Sequence, residues 1–255
     1  MKKTRSAYLL PILAMTLVLL RPSCGYGWGS EVSRVSSAIH VMDEIMSIPE
    51  GGIPDYLLRD AAGIAIFPGL LKAGFIFGAR YGEGIVVLRS PERGWSNPVF
   101  YRLMGGSIGW QIGAQSSDII LVFRTIRSMD AITGGKFTLG ADASVAAGPV
   151  GRHAEAGTDV LLRSEILSYS RSRGLFAGVS LEGAAIQVNY PATANFYNIP
   201  AVVPVQIFNS TEIQAPPIAE QLSRTLAKYS GSAAVPATAP ATAPAAPFTS
   251  GDLPE

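Results

Sequence analysis

Gly105-Gly106-Ser107-Ile108-Gly109-Trp110-Gln111-Ile112-Gly113 is the stretch on which the fold turns. Its first five residues match G-x-S-x-G, the strand-to-helix elbow that presents a nucleophilic serine in α/β-hydrolases. Asp118, Asp130 and Asp142 precede His153, so even the chain order serine, acid, histidine is present. An elbow needs a helix after the serine and a series of parallel βαβ units around it. Here Ile108, Trp110 and Ile112 recur at every second position, which is the period of a strand. The stretch therefore predicts a glycine-rich sheet and no serine nucleophile.

The flanking sequence agrees. Residues 64–67 are an apolar run ended by Pro68-Gly69, and residues 73–81 and 85–89 flank Gly82-Glu83 as a predicted hairpin. A turn at 90–94 and strands at 99–104, 107–114 and 119–124 follow. Further on, residues 165–172 and 175–188 face each other across Arg173-Gly174. Short links of this kind favour antiparallel pairing over long helical crossovers. Of the 27 glycines, 20 fall between Gly63 and Gly183, several inside predicted strands, as in a strongly curved sheet or small barrel.

Helices bracket the sheet. Val32, Val35, Ile39, Met42 and Met46 form one stripe over residues 30–47, and Ser30 and Glu31 suit its N-terminus. Its charged residues Glu31, Arg34, Asp43 and Glu44 make it net acidic, so core packing is preferred to a membrane-surface role. Shorter helices are predicted at 55–62 and 126–132, with a last one at 218–229 after Pro216-Pro217. The fold class is therefore α+β, a curved, largely antiparallel sheet with flanking helices.

Both ends read as lying outside this domain. Lys2, Lys3 and Arg5 precede an apolar stretch at 7–20 that is short for a membrane span, which fits a signal peptide over 1–25. Cys24 stands where a lipoprotein carries its lipidated cysteine, although Arg21-Pro22-Ser23 is a poor match to such a site. The two readings are cleavage near Gly25 and a lipid anchor on Cys24, for a protein that is periplasmic, secreted or membrane-anchored. Residues 231–255 hold 8 alanines and 5 prolines and predict a disordered tail. One domain over 26–230, with its core at about 54–198, remains.

Composition narrows the function. A net charge of +1 argues against bulk electrostatic binding of nucleic acid. A single cysteine and two histidines, His40 and His153, exclude a Cys- or His-rich metal site. Gly134-Gly135-Lys136-Phe137 lacks the upstream glycine and hydroxyl residue of a P-loop. Glu165 and Glu182 face each other across the last predicted hairpin, and solvated surface carboxylates explain them as well as an acid pair. No catalytic residue, metal or cofactor is expected.

Five blocks then resemble the SYLF domain family: residues 62–68, 72–75, 105–113, 136–152 and 168–183, in order across roughly 54–197. They include the glycines of the hydrolase-like motif. The resemblance implies a lipid-binding module rather than an enzyme. Eukaryotic members bind phosphoinositide membranes and some bind actin, while bacterial ones are commonly exported. Actin does not suit a protein exported from a bacterium. Residues 63–187 hold 12 Lys/Arg against 9 Asp/Glu. Strand alternation puts Tyr169, Arg171 and Arg173 on one face, and Arg152 lies in a glycine-proline loop. With Lys72 they form the expected patch for anionic phospholipid headgroups, since arginine suits phosphate and an aromatic suits the lipid interface. The alternatives are an envelope protein that binds a protein partner, and a lipid carrier with an internal apolar cavity.

Overall fold

The runs at 64–67 and 119–123 are buried at every position, with no inward–outward alternation. A strand loses its alternation when both faces of its sheet are covered. In the computed structural model, which describes residues 28–48, 52–74, 77–90, 92–108, 113–150, 163–172, 174–210 and 212–231, that is what surrounds them. Cys24, Arg152, His153, Arg173, the predicted signal peptide and the tail beyond Gly231 lie outside the described residues.

Ten strands form the sheet: β1 (Gly63–Gly74), β2 (Phe77–Ser90), β3 (Gly94–Trp95), β4 (Val99–Ile108), β5 (Gly113–Phe123), β6 (Lys136–Thr138), β7 (Val145–Ala147), β8 (Ile166–Ser172), β9 (Leu175–Gly178) and β10 (Ala185–Val188). Their order is β6-β10-β4-β2-β1-β5-β8-β7, with β3 on β2 and β9 on β8. All pairs are antiparallel except β7 with β8. The sheet curls into a half-barrel, in agreement with the α+β class and curvature read from the glycines.

The helices are α1 (Trp28–Met46), α2 (Asp55–Arg59), α3 (Ile126–Thr133), α4 (Tyr190–Tyr197), α5 (Pro204–Asn209) and α6 (Pro217–Ser230). Helix α1 lies on β1 and β2, with Val35, Ala38, Ile39, Met42 and Ile45 buried, and α6 packs on α1 and α2. The apolar stripe predicted for α1 thus faces the core. Thr125 caps α3 by accepting a hydrogen bond from the Ser128 amide. Helix α3 covers the opposite side of the sheet, where the Tyr101 hydroxyl donates to the Ile132 carbonyl at 3.1 Å.

Several predicted boundaries move. The strand expected at 107–114 is divided between the end of β4 at Ile108 and the start of β5 at Gly113, residues 109–112 lying outside the described ones, and the strand expected at 119–124 is the second half of β5. Strand β1 does not end at Pro68-Gly69 but runs through it, with a register shift between Phe67 and Leu70. Proline has no N–H for the ladder, so inside a central strand it is tolerated only at such a bulge. Gly69 adopts φ +61°, and its amide donates to Asp118 Oδ1 at 2.9 Å. Gly82-Glu83 is no turn either, because β2 continues unbroken from Phe77 to Ser90. Its glycines serve close approach. A Cβ on Gly84 would lie 2.2 Å from the Ile66 carbonyl oxygen and 2.8 Å from the Phe67 Cα. The hairpin predicted across Arg173-Gly174 is real but short: β9 stops at Gly178, and β10 pairs with β4 and β6 far along the sheet order. Glu165 and Glu182 consequently do not oppose each other. Glu165 accepts from the Ser144 amide, while Glu182 lies at a turn against Gly140.

Ser107 sits within β4, paired with Gly78 of β2, and the next described element is strand β5. It is not on a strand-to-helix elbow. Gly105, directly opposite Arg80, instead leaves room for the arginine stem and Ala184, which a Cβ would approach to 3.4 and 3.1 Å.

These contacts separate two glycines of similar sequence context. Gly84→Ala must displace backbone and should cost about 2 kcal/mol or more, lowering the melting temperature by several degrees. Gly106→Ala, with nothing within 4 Å of its Cβ, should melt within about two degrees of wild type. Equal melting of the two variants in a calorimetric scan would contradict this account.

Candidate functional site

Strand alternation divides the sheet's charged groups between two faces. On the face covered by α1, Glu83 of β2 is the hub. Its Oε2 accepts from Arg34 Nη2 of α1 at 2.6 Å. Its Oε1 accepts from Tyr81 Oη at 3.0 Å, Arg102 Nε at 3.1 Å and Asn189 Nδ2 at 3.2 Å. Arg102 Nη2 also donates to Asn189 Oδ1 at 2.9 Å, and the Arg34 guanidinium lies 5.7 Å from the Phe100 ring centre. Burial first, and then the hydrogen bond to Glu83, raise the Tyr81 pKa.

Further along α1, Glu44 forms an ion pair with Arg171 of β8 and stands 3.3 Å from His40 Nε2. The hydrogen bond from Arg171 holds the Glu44 carboxyl below its ordinary value, against partial desolvation, with the charges of Arg171 and His40 adding to the effect. The same hydrogen bond raises the Arg171 pKa. Asp43 accepts from Tyr229 Oη of α6 at 2.7 Å. The helix is thus tied to the sheet at two charged points and to α6 at a third.

Tyr169 is on this face too, and it is fully buried. Its ring stacks on Phe176 with centres 5.4 Å apart. Gly148 makes the space, since a Cβ there would stand 2.1 Å from the Tyr169 Cζ. The hydroxyl has no hydrogen-bond partner, and burial pushes its pKa well above the ordinary phenol value. Tyr169 therefore packs in the core, and Arg171 is engaged by Glu44.

The opposite face is different. Lys72 of β1 and Arg80 of β2 are directly paired across the strands. They open into a cavity of about 270 Å³, together with Gln115, Ser117, Ser170 and Ser180. Leu70, Ile119, Val179 and Leu181 complete its lining. No carboxylate lines it among the described residues. Arg80 Nε is buried without a hydrogen-bond partner, and desolvation lowers the guanidinium pKa. Like charges placed opposite each other in a sheet repel and destabilise it. Here the pair stands beside hydroxyl and amide groups and no described carboxylate.

Of the described residues predicted for a headgroup patch, Lys72 lines this cavity and Tyr169 and Arg171 do not. Ser170 points into it, so its neighbours Tyr169 and Arg171 point to the other face. Arg152 and Arg173 lie outside the described residues. Arg80 escaped the sequence reading for one reason: the hairpin was placed at Gly82-Glu83. With the strands reversing between Gly74 and Phe77, the two-residue period puts Lys72 opposite Arg80. The four polar partners come from β5, β8 and the segment after β9, and no local signal marks them.

The fold and blocks have a family. The family described as "Ysc84: Las17-binding protein actin regulator" matches residues 104–229. The chain belongs to the SYLF family. It is 37% identical over 171 residues to SH3 domain-containing YSC84-like protein 1 of Homo sapiens, covering 66% of this chain and 50% of that protein. It is 37% identical over 179 residues to Protein YSC84 of Saccharomyces cerevisiae, covering 68% and 37%. LAS seventeen-binding protein 3 of the same yeast is 36% identical over 177 residues, covering 68% and 38%. The chain thus spans half or less of the length of these relatives. The SYLF domain is what it shares with them.

The Glu44–Arg171 tie has a signed pH dependence. A carboxyl with a depressed folded pKa contributes stability above its unfolded value, near 4.5, and loses it as pH falls through the folded value. Wild type should therefore melt higher than Glu44→Gln at pH 7, with the gap closing below about pH 4.5. Melting curves of both proteins at pH 7 and pH 3 test this, and a gap that persists at pH 3 would refute it.

Proposed function

We propose that this SYLF domain is a non-catalytic lipid-binding protein of a bacterial envelope that takes an anionic phospholipid headgroup between Lys72 and Arg80. The observation that carries this reading is the unneutralised cross-strand pair at a cavity without a carboxylate among the described residues. The two cations suit a phosphate through charge-assisted hydrogen bonds. Gln115, Ser117, Ser170 and Ser180 suit hydroxyl groups, whereas an ammonium group would meet no counter-charge. Glycerol and inositol headgroups are therefore preferred to ethanolamine and serine. The position of Ser107 inside a strand supports a binding module over a hydrolase. Export rests on the sequence of residues 1–25, with anchoring through Cys24 as its variant. Mass spectrometry of the mature N-terminus distinguishes the two.

Vesicles of phosphatidylcholine with 30% phosphatidylglycerol, about a physiological anionic content, should co-sediment the protein, and added salt should release it. Lys72→Gln/Arg80→Gln should weaken this binding about 10- to 30-fold, at roughly 1 kcal/mol per cation near an anionic surface. Equal binding to neutral vesicles, or an unaffected double variant, would sink the reading.

A protein partner is the second reading. It is favoured by the name of the yeast relative, LAS seventeen-binding protein 3, and by the family's description as a Las17-binding actin regulator. Stoichiometric capture of one envelope protein, with no vesicle binding, would select it.

A further inference from the structure

The cavity beside Lys72 and Arg80 is graded in polarity. Its exposed lining residues, Gln115 and Ser180, are polar. Lys72 and Arg80 themselves are half-buried. The fully buried members, Leu70, Ile119 and Leu181, are all aliphatic.

Strand register lays this gradient along the sheet. Lys72 pairs with Arg80 on one side and with Gln115 on the other, so the cations and the amide share one outer row. Two residues inward Leu70 pairs with Ser117, and two further along β5 Ile119 pairs with Ser170. Strand β2 adds no side chain inward of Arg80, because Gly82 stands there under Leu70, whose Cβ would lie 3.0 Å from a Cβ on the glycine. The segment after β9 brings Val179 to the same inner end. Its amide donates to the carbonyl of Ser168, two residues inward of Ser170, at 3.1 Å. Further on, the Gly183 amide donates to the Leu139 carbonyl at 2.9 Å, which fixes the segment on both sides of Leu181.

A charged or hydroxylated group suits the outer row, but aliphatic walls gain nothing from it. They gain from an alkyl group that takes apolar surface out of water. The volume of about 270 Å³ holds about nine groups of water size, at ~30 Å³ each. That is a ligand between hexanoate and octanoate in size. In the outer row, Arg80 Nε is buried without a hydrogen-bond partner, and a guanidinium fork matches the oxygens of a carboxylate or phosphate.

We infer that the cavity takes a small amphipathic anion, a charged head on a short aliphatic chain. The chain lies inward against Leu70, Ile119 and Leu181, and the head lies in the outer row between Lys72 and Arg80. No membrane is required. The inference shares with the headgroup reading the anion between the two cations, and it differs in what lies inward of that anion.

The test is calorimetric titration of the full chain with acetate, butanoate, hexanoate and octanoate. Wild-type affinity should rise about three- to fourfold per added CH2 up to hexanoate, and level off near octanoate as the cavity fills. Uncharged 1-hexanol should bind at least about tenfold more weakly than hexanoate. Lys72→Gln/Arg80→Gln should lower the affinity for every carboxylate by about tenfold or more and keep the gain per CH2. Val179→Ser, at a half-buried position, should leave acetate unchanged and weaken hexanoate about threefold or more. Hexanoate binding no tighter than acetate would overturn the inference and leave the headgroup reading to its vesicle test. A gain per CH2 without any binding to phosphatidylglycerol vesicles would support the inference and remove the headgroup reading. Hexanol binding as tightly as hexanoate, or a series that neither variant changes, would place the ligand elsewhere and overturn it.

Discussion

The backbones of β1 and β2 meet at Gly84 more closely than any side chain allows, and the rest of the architecture follows from that approach. A Cβ there would stand inside the Ile66 carbonyl. Just beyond, β1 bulges at Pro68-Gly69, and its pairing slips between Ile66 and Leu71 against β2 and between Phe67 and Leu70 against β5. A bulge bends a strand and increases its twist. Here the slip sets which side chains of the far half of the sheet share a face. It brings Lys72 opposite Arg80, on the face of Ser117 and Ser170.

The two faces then acquire different chemistry. On one, each described arginine has an acidic or carbonyl neighbour: Arg34 and Arg102 meet Glu83, and Arg171 meets Glu44. These pairs tie α1 across the strands and spend their charge inside the protein. On the other, Lys72 and Arg80 stand opposite each other beside the side chains of Gln115, Ser117, Ser170 and Ser180. Among the described residues no carboxylate lines the cavity that this pair faces. The same positive density that suggested a patch on β8 is real, but Arg171 is occupied.

Much of the fold was legible. Helix α1 follows from its apolar periodicity, α3 and α6 from the glycines after one and the prolines before the other, and the alternation after Ser107 excludes an elbow. Glycine was the residue most easily misread. Gly82 next to Glu83 has the composition of a turn, yet it lies mid-strand because Leu70 of β1 packs where its side chain would be. That single misplacement hid Arg80 as the partner of Lys72. Tyr169 shows the complementary difficulty. Its alternation with Arg171 was correctly read as one face, but only the packing of Phe176 and Gly148 around the ring shows that this face is interior there.

By itself the sequence determined the class of fold, the glycine-rich sheet, the amphipathic helices and the family, because these rest on periodicity and local backbone preference. The tertiary structure alone decided which cations are free. Whether an arginine is spent on a carboxylate or left facing a cavity depends on groups far apart in the chain, such as Glu44 and Arg171, and no local pattern encodes their meeting.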